Sequence, residues 1–294
     1  MKQGSSVALI TPMIPETGEV DYEGLKKLLQ YHVDAGTSNL CILGTTGEAS
    51  LLSMEERQKV LTIAVAMVKG KMPILVGVGT INPKAVREMT LQAIDVGCDA
   101  ALVVTPYYVK PPQRGLIRHM TTTADLGLPV VMYNVPGRTG VNFSDESMAI
   151  AAEHDLIVGV KDATGDLSRV KRMRELVPDP NFLLYSGDDG SSTEFLLLGG
   201  DGCISVTANV AAKQMTDMVQ AALEGKAEES KAINEKLAGL HKTLFIESSP
   251  MPCKWAAKQI GLTTSDYCRP PLDTFDHATF GSELEGALKQ AGLL

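Results

Sequence analysis

Apolar positions along this chain gather into eight short runs rich in β-branched residues. They are Val7–Ile10, Leu40–Leu43, Ile74–Val78, Ala101–Thr105, Val130–Tyr133, Ile157–Lys161, Phe182–Tyr185 and Cys203–Val206. Near-continuous runs of this kind predict strands buried on both faces. Amphipathic stretches separate most of them. Tyr22–Asp34, Met54–Val68 and Pro83–Val96 carry apolar residues at three- and four-residue steps, which predicts helices. Asp21 and Ser53 are suited to cap the first two helices, and Glu56 completes a capping box with Ser53. Gly36, Gly70 and Gly97 fall where helices end.

Strand alternating with helix predicts a parallel sheet. Eight such units suit a closed (β/α)8 barrel, which typically takes about 250 residues. An open doubly wound sheet would favour a G-x-G-x-x-G turn after an early strand. The chain offers only Gly77-Val78-Gly79, without the third glycine. Beyond about Leu223 the pattern changes to helices at Lys226–Phe245, Pro252–Ile260 and Ser282–Ala291, separated by segments that Pro250, Pro252, Pro270 and Pro271 interrupt. The expected fold class is α/β: a TIM barrel over residues 1–224, then a small C-terminal α-helical segment over 225–294.

Composition narrows the function classes. The chain is 44% hydrophobic, as globular proteins are, and its net charge of −8 comes without any run of Lys or Arg. Neither a nucleic acid nor a membrane surface is an expected partner. Met1–Ser6 lacks the apolar core of a secretory signal, and no apolar stretch approaches the ~20 residues that span a bilayer. Five scattered cysteines without a C-x-x-C are expected to be reduced, in a cytoplasmic protein. Five separated histidines predict no metal site.

A (β/α)8 barrel holds its active site at the carboxyl ends of the strands. Lys161 ends the sixth run, Leu156-Ile157-Val158-Gly159-Val160-Lys161. Desolvation there disfavours the ammonium form, and a neutral amine can form a Schiff base with a carbonyl. A strand-end lysine can equally snorkel into solvent or a salt bridge. The second run ends in Gly44-Thr45-Thr46-Gly47-Glu48, either a set of donors for a small carboxylate or a plain glycine turn. The fourth ends in Thr105-Pro106-Tyr107-Tyr108, with aromatics for an interface or for a site. The fifth ends in Tyr133-Asn134-Val135-Pro136-Gly137-Arg138, where Arg138 can grip a carboxylate from a Pro-Gly turn or form a surface ion pair. Small residues at Ser186–Gly190 and Gly202–Thr207 leave room for a ligand. An amine, phenols, hydroxyls and one arginine, with no strand-end histidine, suit carbonyl chemistry through an iminium.

These segments, together with Gly159-Val160-Lys161-Asp162-Ala163-Thr164-Gly165, resemble the pyruvate-dependent class I aldolase/N-acetylneuraminate lyase family over essentially the whole chain. The resemblance implies a lyase with no cofactor, working through a covalent Schiff base between Lys161 and pyruvate. Thr46 would hold the pyruvate carboxylate, with Gly187 and Ile204 lining the pocket. Tyr133, Thr45 and Tyr108 would relay protons, Tyr108 reaching into a neighbouring subunit's site. The Arg138 segment points to the branch that condenses pyruvate with L-aspartate β-semialdehyde in lysine and diaminopimelate synthesis, Arg138 binding the semialdehyde carboxylate. A homotetramer, a dimer of tight dimers, is implied too.

Arg138 argues against a sugar-acid aldolase of the same family, whose aldehyde lacks that carboxylate. A pyridoxal-phosphate enzyme would need a phosphate site, and Ser205–Asn209 is not glycine-rich. A silent binding barrel would have little use for these residues together. Lysine-regulated members bind lysine at the tight-dimer interface with histidines, an asparagine and a glutamate. This chain has Met54, Arg57, Ile81 and Ala85 there, so weak lysine inhibition, or none, is expected.

Overall fold

The computed structural model covers residues 1–294 and contains eight strands, every one parallel to its neighbours. In chain order the main elements are β1 (Gly4–Ala8), α1 (Tyr22–Asp34), β2 (Asn39–Ile42), α2 (Met54–Val68), β3 (Ile74–Gly77), α3 (Pro83–Val96), β4 (Ala100–Val104) and α4 (Gln113–Ala124). There follow β5 (Val130–Asn134), α5 (Pro136–Thr139), α6 (Asp145–Ala151), β6 (Ile157–Asp162), α7 (Ser168–Leu176), β7 (Leu183–Ser186), α8 (Ser192–Leu197), β8 (Gly202–Ser205) and α9 (Ala212–Leu223). Three longer helices complete the chain: α10 (Ala227–Thr243), α11 (Met251–Gln259) and α12 (His277–Gln290). The strands close in sequence order, and β8 pairs back onto β1 through Gly4↔Gly202 and Ser6↔Ile204.

Both faces of the strands are covered, which is why their sequences show no polar alternation. Val7, Leu40, Ile74, Ala101, Val130 and Val160 face the helical layer. Their neighbours Ala8, Cys41, Leu75, Leu102, Val131 and Ile204 belong to a separate cluster that fills the barrel lumen. The expected caps are in place. Asp21 Oδ1 accepts from the Gly24 N–H at 2.9 Å, and Ser53 and Glu56 exchange both bonds of a capping box. Gly36, Gly70 and Gly97 all have positive φ just beyond their helices.

Most boundaries lie within two residues of the sequence expectation, and two elements start further away. The first strand is Gly4–Ala8, not Val7–Ile10. Ser5 and Ser6 are small enough to be buried at the narrow end of the barrel, Ser6 accepting a bond from Asn39, while Ile10 leaves the ladder to donate to Asn209. The last helix begins at His277 because Asp276 caps it, accepting from Thr279.

β6 is irregular. Val130 pairs with Ile157 but Val131 pairs with Gly159, so Val158 is an extra residue in the ladder. Such bulges re-aim the side chains that follow. Ile157 and Val160 both face the helices, and Lys161 comes into register with Tyr133, whose side chain belongs to the lumen. No helix is long and apolar enough to cross a membrane.

Candidate active site

Lys161 and Tyr133 are lateral partners on adjacent strands. The Lys161 Nζ lies 4.4 Å from the centre of the Tyr133 ring, and the two side chains are 6% and 8% exposed. Lys161 therefore does not snorkel into bulk solvent. Nor does it find a carboxylate: neighbouring Asp162 is held by Arg169 Nε at 2.9 Å and by the Thr164 N–H at 2.9 Å. The thiols that feel the Lys161 charge are poor competitors as nucleophiles. Burial pushes Cys41 up to about 11 and Cys203 well above its usual range, so both stay protonated.

Gly187 is required beside the lysine. A Cβ there would stand 2.8 Å from Lys161 Cε and 2.9 Å from Ala163 Cβ. Its amide donates to the Asp162 carbonyl at 2.7 Å, fixing the small residue against the lysine stem. Ile204 is 1% exposed and lies in the lumen cluster, and Thr46 is buried in the turn after β2.

A cavity of about 510 Å³ opens at this end of the barrel. Thr45, Tyr133 and Arg138 all line it, as does Tyr107. Arg138 is exposed and has no carboxylate within ion-pair distance; its segment is a single helical turn, α5, begun by Pro136, rather than an open turn. Tyr107 turns inward, its hydroxyl 3.1 Å from Thr80 Oγ1. Tyr108 does the opposite. It is 87% exposed with φ of +68°, and it lies outside the cavity of its own chain. A bulky residue in the left-handed region is strained, and strain of this kind concentrates at functional loops. The structure thus brings Tyr133, Thr45 and Arg138 around one space, with Lys161 packed on the Tyr133 ring, but leaves Tyr108 outside.

Two supporting sets escaped the sequence reading. The first lies behind the Tyr133–Lys161 pair, where the next residues along each strand, Asn134 and Asp162, are also in register. Asn134 binds Asn142 and the Phe143 N–H, and Arg169 joins Asp162 to the Phe143 carbonyl. Polar residues directly after the candidate pair were the available signal. The second set holds the Gly44–Glu48 turn. Glu48, with φ of +54°, is buried against Lys254 of α11 and accepts from the Arg269 N–H at 2.9 Å. Lys254 Nζ also donates to the Tyr267 carbonyl at 2.7 Å. Nothing in the sequence links positions so far apart.

The model of the dihydrodipicolinate synthetase family matches residues 1–291. The chain is 45% identical to a 4-hydroxy-tetrahydrodipicolinate synthase of Buchnera aphidicola subsp. Schizaphis graminum, over all of this chain and 99% of that one. It is 44% identical to the enzyme of the same name from Methylococcus capsulatus, with both chains covered in full. Among solved structures it is similar to a chloride-inhibited dihydrodipicolinate synthase of Acinetobacter baumannii complexed with pyruvate, at a TM-score of 0.96 and 43% identity, again covering both chains in full.

Proposed function

The chain belongs to the dihydrodipicolinate synthetase family, and from that premise we propose how its residues carry the family's reaction. The activity is that of a 4-hydroxy-tetrahydrodipicolinate synthase, a lyase of lysine and diaminopimelate biosynthesis. Its substrates are pyruvate and L-aspartate β-semialdehyde. The observation that carries the assignment of roles is an amine without a carboxylate partner, packed on a phenol at the rim of the barrel, with an unpaired arginine in the cavity that the phenol lines.

In this reading the Lys161 amine adds to the ketone of pyruvate, and loss of water gives an iminium. Loss of a methyl proton converts it to an enamine, whose carbon attacks the aldehyde. The amino group of the semialdehyde then displaces Lys161 by transimination, closing the ring and freeing the amine. No metal or cofactor enters the scheme. Thr46 and its backbone hold the pyruvate carboxylate, Gly187 and Ile204 shape the pocket, and Arg138 binds the semialdehyde carboxylate bidentately.

Protons move along Tyr133, Thr45 and Tyr108. A lone phenol, with a pKa near ~10, is a poor base. A chain of hydroxyls polarises its members and passes a proton without stranding a charge. Tyr108 can join only from a second copy, because its own chain holds it in solvent. That supports the homotetramer of paired dimers. The same reading sets the barrel at residues 1–224, the helical segment at 225–294, and the protein in the cytoplasm, in keeping with five free, buried cysteines.

The testing experiment is turnover of pyruvate with L-aspartate β-semialdehyde, against N-acetylmannosamine as the sugar-aldehyde control. Turnover of the semialdehyde alone is expected. Turnover of the sugar aldehyde alone would move Arg138 to another role. Tyr133→Phe deletes one hydroxyl from a packed ring. It is expected to lower kcat roughly a hundredfold or more with an unchanged circular dichroism spectrum, and a near-normal kcat would remove Tyr133 from the relay. L-lysine is expected to inhibit weakly or not at all, since none of the cavity's lining residues is an Asp or Glu that could pair with an amine. Steady-state inhibition below about 1 mM lysine would contradict this.

A further inference from the structure

Arg138 rides on a short excursion of the chain whose two ends bind each other. The excursion leaves β5 after Asn134, makes the single turn α5 and comes back at Phe143, just before α6. Asn134 Oδ1 accepts from the Phe143 N–H at 3.0 Å, and its Nδ2 donates to Asn142 Oδ1 at 2.8 Å. The Phe143 N–H fixes which way the amide faces, because only the oxygen can accept from it. Asn134 is fully buried, where an amide without these partners would be costly. Between the closed ends, Val135, Arg138 and Thr139 line the cavity.

The returning end is held from two further sides. Gln113, at the start of α4, donates to the Asn142 carbonyl at 2.8 Å and accepts from the Ser144 N–H at 3.1 Å. From α7, Arg169 Nη2 donates to the Phe143 carbonyl at 3.0 Å and pairs with Asp145 at 2.8 Å. Its Nε donates to Asp162 at 2.9 Å. Asp162 is the residue after Lys161. One guanidinium therefore grips both the strand that carries the amine and the end of the loop that carries Arg138. The outer side of the turn is free by comparison: a Cβ on Gly137 would meet nothing within 4 Å.

Asn134, Asn142, Asp162 and Arg169 do not line the cavity. A buried polar set kept for stability alone could be replaced by apolar residues at little cost. Its use here is geometric, since satisfied polar networks rigidify what they join. We propose that Asn134 and Arg169 are positioning residues for the aldehyde half of the reaction, holding Arg138 at a set place relative to Lys161. This rests on the roles proposed above for those two groups. Pyruvate reacts with Lys161 before the aldehyde arrives. So kcat/KM for pyruvate reports adduct formation, and kcat/KM for the semialdehyde reports the step that needs Arg138. A displaced Arg138 lowers only the second. A general loosening of the barrel rim lowers both.

The test is steady-state kinetics with each substrate varied in turn, beside the rate of borohydride trapping of the pyruvate adduct. Asn134→Ala is expected to lower kcat/KM for the semialdehyde about ten- to a hundredfold, the worth of one or two hydrogen bonds at a buried site. Its kcat/KM for pyruvate and its trapping rate are expected to stay unchanged. Arg169→Lys keeps a cation between Asp145 and Asp162 but not the fork that reaches three partners, and should show the same pattern. Asn142 is exposed, so its variants spare the fold. Asn142→Ala should lower the semialdehyde constant about three- to tenfold, and Asn142→Asp, which keeps the accepting oxygen, should restore it. Equal falls for both substrates overturn the proposal, as does a semialdehyde constant unmoved in Asn142→Ala and Arg169→Lys. Arg138→Met is measured alongside. If it leaves the semialdehyde constant unmoved, the reading of Arg138 fails and the proposal falls with it. If it lowers that constant while the Asn134, Asn142 and Arg169 variants do not, the proposal falls alone.

Discussion

Lys161→Met is expected to give no borohydride-trapped pyruvate adduct in intact-mass spectrometry and to lower turnover roughly 10⁴-fold or more, the scale on which loss of a covalent nucleophile is felt. Methionine keeps most of the aliphatic stem, so the packing against Gly187 and Ala163 survives and the melting temperature changes little. No other group can substitute. Cys41 and Cys203 are held protonated by burial, and Lys254, the other deeply buried lysine, is locked to Glu48. An adduct formed in good yield by the variant would show that pyruvate is held by a different amine, and the scheme built on Lys161 would fall.

Lys254→Met is expected to destabilise the fold by about 3–5 kcal/mol, because it strands the Glu48 carboxylate in a place with almost no solvent. For a protein of this size that is a fall in melting temperature of roughly 6–20 °C. The cause is the uncompensated charge, so adding Glu48→Gln should recover part of the loss. The amide can still accept from the Arg269 N–H, and a buried pair replaced on both sides is often close to neutral. The same variants report on the turn after β2. Thr45 and Thr46 immediately precede Gly47 and Glu48, and the Gly47 carbonyl is held by Thr11 at 2.7 Å. Loosening Glu48 should raise KM for pyruvate more than it lowers kcat. Scanning calorimetry and steady-state kinetics on the single and double variants check both points. A Lys254→Met protein as stable as the parent would mean that the pair contributes nothing net.

The strands and most helices were legible because the forces that place them are local. Parallel barrel strands are covered on both faces, so all eight appear as uniform apolar runs. Helices α1, α2 and α3 match their expected bounds residue for residue, since each has a side-chain cap at its start. Where the sequence pattern failed, a tertiary contact had replaced it. Ser5 and Ser6 look like a loop but are small enough for the closed end of the barrel. The candidate site divides in the same way. Lys161, Tyr133, Thr45 and Arg138 could be placed from the strand ends, because the carboxyl edge of a barrel gathers whatever its strands carry there. The Glu48–Lys254 pair joins residues from opposite ends of the chain, and no periodicity encodes it. The directions of Tyr107 and Tyr108 were equally hidden, since two adjacent loop tyrosines look alike until the backbone turns one inward and the other out.

The extra residue at Val158 gives β6 an asymmetric tolerance for changes of length. Side-chain direction along a strand has a period of two, so a single deletion ordinarily reverses every residue beyond it. Here six residues, Ile157–Asp162, answer five on β5, Val130–Asn134. A deletion between Ile157 and Lys161 can be absorbed by flattening the bulge, leaving a regular strand with the amine still pointing inward. An insertion has no such slack: accommodated as regular strand it would shift Lys161 past Tyr133, and a chain one residue longer there can close its barrel with the amine and the phenol no longer side by side.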